Sequence, residues 1–345
     1  MRILIYGAGA VGGYVGGHLA EAGEEVVLLT RPTAAEAITK RGLHLHGVDG
    51  KHRRVPVQAV TSAREAFTDG QAYDWIAFTM KAYDTVSAIL ELQTVQPQPP
   101  PILCLQNGVG NEETLAGAFG DERVVAGVVT TPVSIREPGV VVEEKRNGVA
   151  IATDNLASRM IVDALCRTGL RVQTHDRTAP LKWSKLLLNI LGNATCAILD
   201  MTPAEVYADE RLFQIEAVAL REALDTMEAL NLQPINLPGM PAFWLAALAR
   251  LLPTKWLRDV LTPRVAQGRG EKMPSFHIDL SRGRGRTEVA WLNGAVVAGA
   301  ERIGLAAPIN HALVLTLTDI VEGRMPWEFY RRRPDRLLAA VGVAR

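Results

Sequence analysis

The chain has 345 residues, with 37 Lys plus Arg against 37 Asp plus Glu, so its formal net charge is zero. Apolar residues make up 48% and charged ones 21%, which excludes an intrinsically disordered chain. The neutral balance also removes any global electrostatic argument for nucleic acid or an anionic membrane, although it leaves room for a local basic pocket. At roughly 150 residues per domain the length predicts about two domains.

The first half alternates strand-like and helix-like segments. Residues 2–6 read as a short apolar strand, 11–22 as a helix closed by Gly23, and 26–30 as a second strand. Segments 43–46 and 54–60 flank Gly47-Val48-Asp49-Gly50, a predicted hairpin. Buried strands follow at 74–79 and 102–105, separated by a helix near 85–92 and the proline-rich loop 96–101. Residues 124–133 and 140–144 read as antiparallel strands around Glu137-Pro138-Gly139. A strand at 149–152, a helix at 156–167 and a strand at 170–174 finish this half. Beyond His175 strand signals almost vanish. Segments 179–199, 205–231, 242–261, 288–303 and 308–322 all read as long helices. An α/β half followed by an all-helical half predicts a Rossmann-type dinucleotide-binding domain at 1–176 and a helical domain at 177–345. Arg331-Arg332-Arg333 reads as a solvated charge run.

Gly7-Ala8-Gly9-Ala10-Val11-Gly12 matches G-x-G-x-x-G between the first strand and its helix, the context that a dinucleotide fingerprint requires. Helix N-terminal N–H groups would face the phosphates. The second strand runs into Thr30-Arg31-Pro32, placing Arg31 where an NAD site usually has a carboxylate. A guanidinium there suits a 2′-phosphate, Thr30 could add a donor, and Glu24 and Glu25 come too early. The expected cofactor is therefore NADPH. Lys81 and Asn107 follow the strands at 74–79 and 102–105, where open sheets bind ligands.

The predicted helix 179–199 is apolar around most of its circumference, yet Lys185, Asn189 and Asn193 recur at i, i+4 and i+8. Buried amides and ammonium groups need partners, and asparagine suits an exposed helix interior poorly, so the stripe points to a functional face. Lys182, one turn earlier, reads as a surface lysine. Thr287 reads as an N-cap with Glu288 in the first turn of the helix that follows. His277 is a candidate acid or base by residue type alone. There is no HExxH pattern or close His/Cys cluster, so no metal is expected. The three cysteines, Cys104, Cys166 and Cys196, form no CxxC pair, and a reducing cytoplasm is the expected compartment. No apolar run approaches the ~18–20 residues of a membrane span.

Taken in order, these motifs resemble the ketopantoate reductase (2-dehydropantoate 2-reductase) family. The resemblance spans Gly7 to Gly12, Arg31, Lys81 in MKAYD, Asn107 in QNGVG, KWSKLLLNILGN at 182–193, PSFHID at 274–279 and GRGRTEVAWLNG at 283–294. It implies a Rossmann domain joined to a helical domain, and NADPH-dependent reduction of 2-ketopantoate to D-pantoate on the way to pantothenate. It further implies Lys185 as the catalytic lysine, Glu288 as the site glutamate, and Asn189, Asn193 and Ser275 as substrate residues. Asn107, Lys81 and Arg31 fall on cofactor-side or cleft positions. Ala290 departs from a commonly acidic position, and the apolar segment 232–270 is longer than in compact members. That segment could reshape the cleft, cover it or form a homodimer interface. Two alternatives stay open: a reductase of another 2-keto acid or an imine, and a non-catalytic NADP(H) sensor.

Overall fold

The computed structural model of the chain describes residues 1–269 and 272–342. Gly270, the last residue of the apolar segment 232–270, lies outside them. The chain forms two compact units, Met1–Lys182 with Leu237–Met240, and Trp183–Asn236 with Pro241–Arg345. The division falls inside the helix Thr178–Ile190, and the boundary expected at 176/177 falls in the turn just before it.

The first unit carries twelve strands among the described residues. They are β1 (Arg2–Tyr6), β2 (Glu25–Leu29), β3 (Leu43–His46), β4 (His52–Val55), β5 (Gln58–Val60), β6 (Trp75–Phe78), β7 (Ile102–Cys104), β8 (Val124–Val129), β9 (Val133–Glu137), β10 (Val140–Glu143), β11 (Val149–Ala152) and β12 (Val172–His175). The main sheet has the order β12-β11-β8-β7-β6-β1-β2-β5. From β5 to β8 every pairing is parallel, and β11 turns antiparallel to β8. The six parallel strands therefore follow the doubly wound order, which reverses between β1 and β6. β1 is buried along its whole length because helices cover both faces. Ile3 and Ile5 point into one core with Tyr14, Val15 and Leu19. Leu4 and Tyr6 point into the other with Phe78, Ile89 and Leu92.

Two strand predictions need correction. Segment 54–60 is not one strand of a hairpin: β4 pairs with β3, while β5 joins the main sheet beside β2. Pro56 sits between them without an N–H to continue a ladder. Segment 124–133 likewise divides. β8 belongs to the main sheet, and β9 forms the hairpin with β10 in the second sheet, of order β4-β3-β10-β9.

Of the five long helices expected beyond His175, segment 308–322 forms as the single helix Pro308–Val321, and the other four are interrupted. Segment 179–199 divides into Thr178–Ile190 and Asn193–Leu199, with Gly192 left-handed at φ 66°. Segment 205–231 becomes Pro203–Ala208 and Glu210–Ala229, because Asp209 caps the second helix through the Arg211 and Leu212 N–H groups. Segment 242–261 breaks at Pro253 into Ala242–Leu251 and Thr254–Arg269. Segment 288–303 opens as a 3-10 turn, Val289–Trp291, and only then becomes the helix Asn293–Glu301. Glu288, not Thr287, occupies the N-cap position of that turn; Thr287 precedes it and its Oγ1 accepts from Val289 N at 3.3 Å. The arginine run is not merely solvated. Arg331 pairs with Asp200 at 2.7 Å and Arg332 with Glu205 at 2.5 Å.

Back in the first unit, the helix Ala10–Glu21 packs one face on the second sheet. Tyr14 donates from its hydroxyl to Glu143 Oε1 at 2.9 Å, and the His18 ring meets Tyr14 edge-on at 4.8 Å. His18 is buried with Nε2 unpaired. Burial first, then the Arg53 charge, pushes its pKa down to about 4. The folded state thus prefers the neutral ring, while the unfolded chain takes up a proton below about pH 6.5. Stability from this group is fully present above pH 6.5 and is lost as the pH falls toward 4, a contribution on the order of 3 kcal/mol. Melting temperature should therefore fall across that window, and fall less steeply in His18→Phe. An unchanged slope in thermal melts of the variant would remove His18 as the titrating group.

Candidate active site

The glycine loop lies at the carboxyl end of β1, where the strand order reverses. Gly7 adopts φ +89°, and a Cβ on it would lie 2.6 Å from Met80 N, just beyond β6. Only glycine allows both the left-handed turn and that backbone approach. A Cβ on Gly12 would overlap Thr79 Oγ1 and sit 2.8 Å from Ile5 Cγ2, so the helix packs directly on the strands. Gly9 is exposed, and a Cβ there would approach nothing closer than 3.9 Å. It leaves a cradle open on the outer side of the loop.

The loop's own donors are largely committed. Gly7 N and Ala8 N donate to Leu29 O at 3.0 and 2.8 Å, and Gly9 N donates to Gly7 O. Thr30 Oγ1 donates to Ala8 O at 3.0 Å, so it fastens the loop to β2 and is not a spare donor for a phosphate, as its position had suggested. The first-turn N–H groups of Ala10, Val11 and Gly12 have no i−4 carbonyl to bond. They form the positive end of a helix with no acidic residue in its first turn. Open cradle and oriented donors together fit a pyrophosphate.

Arg31 occupies the N-cap position of the helix Pro32–Arg41, exposed at the end of β2, and its guanidinium has no ion pair or hydrogen bond among the described residues. The early carboxylates are engaged elsewhere. Glu24 pairs with the N-terminal amine and with Arg167, and Glu25 pairs with Arg2.

Lys81 and Asn107 begin the loops after β6 and β7, both half-buried. A network that sequence reasoning missed joins these loops. Gln106 Nε2 donates to Thr85 Oγ1 at 2.8 Å and to Met80 O at 3.2 Å. Asn111 Nδ2 donates to Asn107 O at 3.0 Å. Lys182 is not a surface lysine. It is 3% exposed, ion-paired with Glu112 at 2.7 Å, and donates to Gln106 O at 2.6 Å. Burial pulls this ammonium toward neutrality, but Glu112, by charge and hydrogen bond, together with Cys104 and Glu113 more than offsets it and raises the pKa above the ordinary lysine value. Burial pushes the nearby Cys104 thiol well up, and Glu112 adds to the effect.

The second unit holds the remaining candidates. Lys185 is 8% exposed on the helix Thr178–Ile190, with Asn189 half-buried one turn on. The stripe does not run along one helix, because the break at Gly192 makes Asn193 the first residue of the next. A buried carboxylate sets that break: Glu216 accepts from Gly192 N at 2.5 Å and from Thr195 Oγ1. Asn193 Nδ2 donates to Asn189 O at 3.1 Å and to Ser275 Oγ at 3.3 Å, while its Oδ1 accepts from Phe276 N at 3.1 Å. Three of the predicted positions thus meet, and Asn193 fixes the start of the helix Ser275–Ser281. Glu288 is 3% exposed just before the 3-10 turn. His277 is held apart from this group: its Nε2 meets Asp200 Oδ1 at 2.6 Å and its ring lies against Trp327. Glu112 and Glu216 are the carboxylates the sequence did not single out. Their one legible signal was an acid in the first turn of the helix Asn111–Phe119.

Comparison with known proteins bears on the family and the fold. The family description "Ketopantoate reductase PanE/ApbA" matches residues 3–154, and its C-terminal counterpart matches residues 178–321. The chain is 30% identical over 318 residues to a 2-dehydropantoate 2-reductase of Pyrococcus horikoshii, covering 91% of this chain and 95% of that one. A PanE/ApbA family ketopantoate reductase from Ralstonia eutropha superposes with a TM-score of 0.77 at 28% identity, covering 94% and 99% of the two chains. D-mandelate dehydrogenase in a ternary structure with NADH and anilino(oxo)acetate shares the fold, with a TM-score of 0.76 at 20% identity and 94% and 99% coverage. The chain belongs to the ketopantoate reductase family and is an oxidoreductase that works with a nicotinamide dinucleotide on a keto acid.

Proposed function

We propose that the protein reduces 2-ketopantoate to D-pantoate with NADPH, with Lys185 as the proton donor. The observation that carries the reading is a buried lysine on an apolar helix, followed by Asn189 and by the Asn193–Ser275 contact. Burying a lysine and two asparagines on apolar helices costs desolvation free energy, which a role in binding a polar ligand would account for. Ala10, Val11 and Gly12 would hold the pyrophosphate, Arg31 the 2′-phosphate, and Lys81 and Asn107 the nicotinamide half of NADPH. When bound, that cofactor supplies the hydride. Reduction at C2 turns a carbonyl oxygen into an alkoxide, so the protein must stabilise negative charge there and deliver a proton. The Lys185 ammonium does both. Ser275, held by Asn193, hydrogen-bonds the substrate carboxylate. Asn189 orients the keto acid, and Glu288 accepts from its hydroxyl.

The exposed, unpaired guanidinium of Arg31 supports NADPH over NADH. A reductase of another 2-keto acid is the second reading, favoured by the solved structure of D-mandelate dehydrogenase, which has the same fold and holds anilino(oxo)acetate.

Lys185→Ala should lower turnover by roughly 10²-fold or more while leaving NADPH affinity nearly intact. Unchanged turnover in steady-state assays removes Lys185 from the mechanism. Arg31→Ala should weaken NADPH far more than NADH in binding titrations, and equal losses would show that it does not read the 2′-phosphate. Following NADPH consumption across a panel of 2-keto acids and imines should give the highest kcat/KM for ketopantoate. A clear preference for another compound would replace the proposed substrate.

A further inference from the structure

Lys182 has no part in the proposed reduction, yet it is buried and charged. An apolar residue would occupy an apolar interior at less desolvation cost. Its contacts have a particular layout. Nζ donates to the carbonyl of Gln106, the peptide that leads into Asn107, at 2.6 Å. It also pairs at 2.7 Å with Glu112, two residues past the end of the 106–110 loop. One ammonium therefore holds this loop at both ends. Between those points lie Gly108 and Gly110, both left-handed at φ +90° and +104°. Such residues leave a loop loose unless its ends are fixed. The Gln106 side chain extends the hold to the neighbouring loop through Met80 O and Thr85 Oγ1.

We propose that Lys182 is a positioning residue that pins the 106–110 loop in the shape that receives the nicotinamide dinucleotide. The inference rests on the proposed function in one respect, that this loop faces the bound cofactor. It assigns a role to a pair, Lys182 and Glu112, that a purely structural salt bridge would not have. If the pair served only stability, replacing both charges with neutral groups of similar size would restore everything, since buried ion pairs are often replaceable in that way. If the ammonium pins the loop, stability returns and cofactor affinity does not.

The test compares the wild type with Lys182→Met and with Lys182→Met/Glu112→Gln. Dissociation constants for NADPH and NADH are measured by fluorescence titration without substrate, alongside thermal melts and hydrogen exchange of the peptide covering 106–110. The single variant should lose stability, because Glu112 is left buried and uncompensated. The double variant should regain most of it. The double variant should still bind the cofactor that the wild type prefers about tenfold more weakly, with faster exchange at 106–110. A double variant with wild-type melting and wild-type affinity would overturn the proposal. Because no keto acid enters these measurements, a wild type that fails to reduce ketopantoate counts against the proposed reaction alone.

Discussion

The backbone of Gly7 rests against the backbone of Met80, and the carboxyl edge of the sheet is organised around that approach. Strand order reverses between β1 and β6, so these two loops meet where a doubly wound sheet opens its crevice. Thr79 reinforces the meeting by donating from Oγ1 toward Gly7 O and Tyr6 O. Leu29 and Thr30 at the end of β2 close the loop from the other side. What remains unused is the first turn of the helix Ala10–Glu21, and its direction is fixed by everything that is used. The site is therefore a remainder: the donors that the fold could not satisfy internally.

The second unit reaches a related result with carboxylates. Glu216 caps the broken helix at Gly192 and Thr195. Glu222 accepts from Ile309 N and Asn310 N at 2.8 and 2.9 Å, capping the helix Pro308–Val321. Both are buried, and both act on helix N-termini, where a negative charge is electrostatically favoured. An uninterrupted 179–199 helix would have carried Asn193 on the same stripe as Lys185. The capped break gives Asn193 its own helix start and lets it grip Ser275 and Phe276.

Local patterns were legible in the sequence. The glycine loop announces itself because its physical requirement is confined to six residues between a strand and a helix. The central strands of the main sheet, such as β1, β6 and β7, are legible because burial on both faces makes them continuous apolar runs. The Lys185-Asn189 spacing is legible for the same local reason. Partners distant along the chain were not. Lys182 looks like a surface lysine until Gln106, 76 positions earlier, offers its carbonyl. Arg331 looks solvated until Asp200 is found 131 positions away. The break at Gly192 has a local sign in the glycine, but its cause is Glu216, on another helix. Strand 54–60 misled because its alternation continues through Pro56 even though its pairing cannot.

Residues 237–240 bear on how the chain is made. They lie within the first unit although fifty-four residues of the second precede them. Gly239 is left-handed at φ +67° and stands against Asn147, whose side chain donates to Thr130 O at 3.0 Å. Lys182, the ion partner of Glu112, is likewise the last residue of the first unit's main stretch. A ribosome that has released residues 1–176 has therefore delivered every strand of both sheets, with the Glu112 carboxylate still awaiting its counter-ion and the Asn147 shelf its cover. Synthesis from N to C terminus leaves the first unit short of its last four residues until fifty-four residues of the second have been made, so completion of the cofactor half waits on part of the helical half.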